Sequence, residues 1–125
     1  MTEIMNLHHA SLVVSDTERA LSFYRDLLGL AVLERPDMGF PGAWLDIGAD
    51  QQIHLLEVPN PDPVTGRPQH GGRDRHLAFS VKSLNKIENN LKKANIGYTF
   101  SRSGRAALFC RDPDGNALEF IQQIT

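Results

Sequence analysis

Four residues in this chain have side chains that bind transition metals or move protons, and they fall at matched places. His9 and His76 each sit near the start of a run that alternates polar and apolar residues. His54 and Glu119 each lie between two apolar neighbours, in Ile53-His54-Leu55 and Leu118-Glu119-Phe120. Imidazole and carboxylate suit Zn, Fe, Ni, Co or Mn. Held on strands they would form a rigid ligand shell, and a position left open would admit a substrate. Each residue alone has a plainer explanation. A lone strand histidine is more often a hydrogen-bonded core or surface group, and a glutamate on an alternating edge strand is normally solvated. What favours ligation by His9, His76 and Glu119 is the pairing of positions across an internal repeat. The same repeat selects His54 over nearby Glu57, which strand parity puts on the opposite face.

The elements that must position these residues are legible in both halves. Residues 7–30 read as a strand, a capped helix and a stop. Ser15 with Glu18 is placed for a capping box. Ala20, Leu21, Tyr24, Leu27 and Leu28 recur at helical spacing, and Gly29 supplies a left-handed terminus. Strands are expected at 30–34, 43–47 and 52–58, the last two around a Gly48-Ala49-Asp50 hairpin. In the second half, 75–81 alternates as a strand and Ser83 caps a helix with Leu84, Ile87, Leu91 and Ala94 as its apolar stripe. Glu88 and Lys92 are spaced for an ion pair on that helix, and Gly97 is expected to end it. Strands follow at 98–101, 106–110 and 117–121, the last after an Asp112-Pro113-Asp114-Gly115 turn. The order is βαβββ twice. The offsets between matched ligands, 67 (from 9 to 76) and 65 (from 54 to 119), differ by the slack of a loop. Two halves paired about a pseudo-twofold would bring the four residues together.

Between the halves, residues 59–74 hold four prolines and three glycines, a composition that suits a linker or flap and neither a helix nor a central strand. His70 within it is expected to be solvated, His8 structural or exposed, and Trp44 either in a cleft or in the core. Among Arg67, Arg73, Arg75, Arg102 and Arg105 the sequence does not choose an anchor for an anionic substrate. With 125 residues, 41% of them hydrophobic, the chain is long enough to bury a core without disulfides or a structural metal. A net charge of −2 gives no electrostatic footprint for nucleic acid or an anionic membrane. One cysteine, Cys110, excludes an intrachain disulfide and fits a reducing compartment. MTEIMN lacks the basic and apolar regions of a signal peptide, and no apolar run approaches the ~20 residues of a membrane helix. A cytoplasmic location is expected.

The pattern resembles the vicinal oxygen chelate superfamily: glyoxalase I, bleomycin-resistance proteins, fosfomycin-resistance enzymes and extradiol dioxygenases. The resemblance is carried by His9 seven residues before Asp16, FYRDLLGL at 23–30, HLAFSV at 76–81 and RDPDGNALEF at 111–120. It spans nearly the whole chain. It implies an α+β fold in which two βαβββ modules form a curled mixed sheet around a metal-binding cleft. The chain would then be one domain, 1–125, made of module 1–58 and module 75–125. The resemblance also implies one divalent metal, with His9, His76 and Glu119 as ligands. Glyoxalase I has a further glutamate where this chain has His54, which is read as a fourth ligand or a substrate contact. The function implied is a metal-dependent glyoxalase-like enzyme that binds vicinal oxygens of a small substrate. Its chemistry would be of isomerase or lyase type, with Glu119 as ligand and proton shuttle. The alternatives are an iron-dependent dioxygenase, a metal-dependent transferase and a non-catalytic small-molecule binding protein. The family also implies a homodimer.

Overall fold

Two four-stranded mixed sheets with three short helical segments and one longer helix make up the structure, a computed structural model that describes residues 2–123. The chain divides into two compact units, Met1–Pro61 and Asp62–Thr125. Residues 62–74, expected as connector, therefore belong with the second unit.

In the first unit the order is β1 (His9–Val14), α1 (Thr17–Leu21), a π turn (Ser22–Leu27), β2 (Ala31–Leu33), β3 (Gly42–Gly48) and β4 (Gln51–Glu57). The sheet runs β1-β4-β3-β2, with β1 parallel to β4 and the other pairs antiparallel. Alternation sorts its residues as expected. Val14, Ala43, Leu45, Ile53 and Leu55 are buried together with Ala20, Leu21, Phe23 and Tyr24 of the helical segment, while His9, Ser11, Trp44 and His54 fall on the other parity. The N-cap differs from expectation. Asp16, not Ser15, caps α1, its carboxylate accepting from the Arg19 amide at 2.9 Å. The neighbouring Thr17 amide donates to Glu57 at 2.7 Å, so a carboxylate from β4 supplies what the capping box assigned to Glu18. This places Glu57 at the helix, away from His54.

The second unit repeats the order as β5 (His76–Val81), α2 (Leu84–Lys93), β6 (Tyr98–Phe100), β7 (Ala107–Arg111) and β8 (Ala117–Gln122), with the sheet running β5-β8-β7-β6. A single 3-10 turn, Gly71–Arg73, precedes β5. Ser83 caps α2 by accepting from the Lys86 amide. Lys92 pairs with Glu88 at 3.7 Å, and Glu88 also accepts from the Tyr98 hydroxyl. The left-handed stop is Asn95 (φ 57°) and not Gly97, since asparagine tolerates this conformation better than other non-glycine residues. Before β8, the buried Asp112 carboxylate accepts from the amides of Asp114 and Asn116, both at 2.9 Å. Gly115 takes φ +85° in the same turn. That rigid turn sets the register of β7 on β8 and so the position of Glu119. Among the described residues no helix is long and apolar enough to cross a membrane.

Candidate functional site

Register explains which candidates meet. In the first unit Ser11 of β1 and Trp44 of β3 flank His54 of β4, and His9 lies opposite Gln52. The rings of His9 and His54 stack at 3.9 Å between centroids, and Trp44 stacks on His54 at 4.5 Å. Trp44 is therefore a half-buried wall of the polar face and not part of the core. His54 Nε2 bonds the Gln52 side-chain oxygen at 2.8 Å. Burial lowers the His54 pKa, helped by the neighbouring His9, His8 and Arg35 charges. Both effects favour the neutral ring, the form that ligates a metal. His8 is exposed as expected and has a definite partner. Its Nδ1 lies 2.9 Å from His9 Nδ1, so one of the two donates; with His9 as the donor, its Nε2 keeps a lone pair for a ligand.

In the second unit His76 and Glu119 meet on one face. His76 Nδ1 lies 2.8 Å from the Asp74 carbonyl oxygen, which can only accept. Nδ1 must then carry the proton, and Nε2 is turned to Glu119 Oε1 at 3.3 Å. Glu119 is 2% exposed. It lies on an interior strand, which rules out the solvated edge-strand reading. Among the described residues its Oε2 makes no hydrogen bond, and the Arg105 guanidinium lies 3.7 Å from it. A buried carboxylate oxygen without a hydrogen bond is costly. When His76 is neutral, its Nε2 lone pair also points at a carboxylate oxygen. A cation between them would satisfy both, and the Nδ1–H···O=C bond is the outer-shell support that ligating histidines use.

His70, expected to be solvated, is held by Thr99 Oγ1 at 2.7 Å and lies edge-on to Phe109. Phe109 also carries the His76 ring at 5.0 Å. Asp74 and Gln52 were not named from sequence, Arg105 was only one of five arginines among which sequence does not choose, and no spacing rule selects any of the three. Their roles follow from turns and cross-strand register.

The structure thus brings His9 to His54 and His76 to Glu119, as pairs. No group of three or more His, Cys, Asp or Glu residues that could hold a metal occurs among the described residues. The donors nonetheless fit a divalent metal in chemistry: imidazoles with an assigned or neutral ring nitrogen, and a buried carboxylate with an oxygen to spare.

Comparison with known proteins gives a consistent result. A family model described as Glyoxalase/Bleomycin resistance protein/Dioxygenase superfamily matches residues 6–120. The chain is 30% identical over 122 residues to Glyoxylase I 4 of Arabidopsis thaliana, covering 93% of this chain and 70% of that protein. It is also 30% identical to a lactoylglutathione lyase of Neisseria meningitidis, covering 95% and 91%. A glyoxalase/dioxygenase structure from Nostoc punctiforme superposes with a TM-score of 0.78 at 23% identity, over 98% of this chain and 94% of that one, which shows the shared α+β fold.

Proposed function

Since the chain belongs to the Glyoxalase/Bleomycin resistance protein/Dioxygenase superfamily, we propose that it is a metal-dependent enzyme of isomerase or lyase type acting on a small substrate with vicinal oxygens. In this reading His9, His54, His76 and Glu119 are the ligands of one divalent metal. When bound, the metal supplies Lewis acidity that polarises the substrate oxygens.

The observation that carries the reading is the His76–Glu119 pair: a buried carboxylate with one oxygen lacking a hydrogen bond, facing an imidazole whose other nitrogen is committed to Asp74. Asp74 fixes the His76 tautomer. His8 Nδ1 holds His9 through its Nδ1. Burial favours the neutral form of His54. Glu119 Oε2 has no competing donor within hydrogen-bonding distance, so it is the atom on which a substrate proton would be received and returned. Phe109, edge-on to His76, gives that face an apolar wall, which limits the water able to compete for that proton.

Elemental mass spectrometry on chelator-free protein tests this directly. The expected result is about one transition metal per chain, falling to a small fraction of that in His76→Ala and in Glu119→Gln. Wild-type protein that stays metal-free after reconstitution would sink the proposal.

A further inference from the structure

Glu119 and its cation face each other unequally. The Glu119 side chain is 3% exposed, whereas that of Arg105 is 60% exposed, and the 3.7 Å between Nη2 and Oε2 is too long for a hydrogen bond. Arg105 lies between β6 and β7, where Gly104 adopts φ +87°. Its Nε donates to Ser103 Oγ at 3.2 Å, and Ser103 Oγ in turn bonds Ser101 Oγ at 2.7 Å. That small hydroxyl chain braces the inner end of the guanidinium and leaves the outer fork unused by it. A planar fork held at its base and open at its tip is the arrangement that receives an oxyanion through two parallel bonds. Three other arginines of this unit are engaged elsewhere: Arg67 and Arg111 both bond Asp74, at 2.8 Å each, and Arg75 pairs with Asp62.

We infer that Arg105 is the specificity residue of the site. It would leave its loose pairing with Glu119 to bind an oxyanion, carboxylate or phosphate, carried by the substrate beside its vicinal oxygens. This rests on the proposed function and adds the substrate's charge to it. A bound divalent metal at Glu119 favours the exchange, because it neutralises the carboxylate and repels the guanidinium. The exposure of Arg105 means that its loss leaves no buried charge unpaired except Glu119, which the metal satisfies.

Three ligands share a hydroxymethyl ketone and differ in the group on its other side: hydroxymethyl in dihydroxyacetone (neutral), carboxylate in hydroxypyruvate, and a phosphorylated hydroxymethyl in dihydroxyacetone phosphate. Their dissociation constants would be measured by calorimetry on cobalt-loaded wild type, Arg105→Ala and Arg105→Lys, with cobalt content and affinity measured in parallel. Wild type is expected to bind at least one of the two anions about tenfold more tightly than dihydroxyacetone. Whichever anion gains identifies the group. Arg105→Ala should lose that preference, Arg105→Lys should recover part of it, and dihydroxyacetone affinity should stay within about twofold. Cobalt affinity in Arg105→Ala should equal or exceed that of wild type. An anion preference unchanged in Arg105→Ala overturns the inference while leaving the metal reading intact. Cobalt lost from Arg105→Ala also overturns it and makes Arg105 a positioning residue for Glu119. Wild type that binds no cobalt overturns the function itself, and with it the inference.

Discussion

Cys110 shows how far burial alone decides a residue's chemistry. The thiol is 4% exposed within β7, and burial, with the nearby Asp112 charge, pushes its pKa up to about 12. A thiolate is the reactive form, so native protein at pH 8 is expected to resist a thiol-specific disulfide reagent and to react only after denaturation. Fast labelling of folded protein would contradict this. Glu119 is as buried as Leu118 and Phe120 on either side of it, yet its chemistry is the opposite, because it is an acceptor with capacity left over. The sequence made His9, His54, His76 and Glu119 visible, since a period of two and an internal repeat depend only on residue order. It could not show that Trp44 stacks on His54 or that Arg105 reaches Glu119. Those contacts depend on strand register and on the conformation of a loop, neither of which is encoded in local spacing.

At the level of elements, strand and helix positions followed the hydrophobic pattern to within a residue or two, whereas the caps did not. Ser15 and Asp16 are both good N-caps by type. The choice between them was made by Glu57, a residue from β4 with no local relation to α1. Gly97 and Asn95 present the same lesson at the end of α2. The sheet of the first unit offers a sharper test. Gly42 opens β3 opposite Leu56, and a Cβ placed there would run into the Leu55 carbonyl oxygen, a backbone atom. Gly42→Ala is expected to destabilise the fold by about 2 kcal/mol through local overpacking, measured by urea titration. A loss below about 0.5 kcal/mol would mean that β3 and β4 can part at this end without cost.

Across the whole molecule, the stretch expected to be a loose connector proves to be tied to the second unit. Arg67 and Arg111 converge on Asp74, and Gly71 packs against Ala117 and Phe109. The Arg67 hydrogen bond, aided by Arg111 and the Arg75 amide and opposed by burial, holds the Asp74 carboxyl far below its ordinary value of 3.8. A depressed carboxylate pKa contributes stability that is present above the ordinary value and drains away as pH falls below it. Asp74→Asn should therefore cost roughly 2 kcal/mol at pH 7 and lose less stability than wild type as pH falls below 3.8. Parallel acid profiles for the two proteins would refute this. Composition had marked the stretch as irregular, which it is. It could not reveal the pin, because Arg67 and Arg111 are far apart in sequence.

The helices of the two units differ by one residue. From N-cap to left-handed stop the first runs from Asp16 to Gly29 and the second from Ser83 to Asn95, 13 steps against 12. The closing bonds differ in the same way, Leu30 N to Tyr24 O in one and Ile96 N to Leu91 O in the other. The extra residue is absorbed in the π turn, whose wider loop buries Phe23 beside Tyr24, a neighbour that 3.6-residue spacing does not select. Half of the two-residue difference between the repeat offsets is thus an insertion inside a helix, not loop slack. An alignment of the two halves must open one gap there, and its second lies between the helix and the last strand.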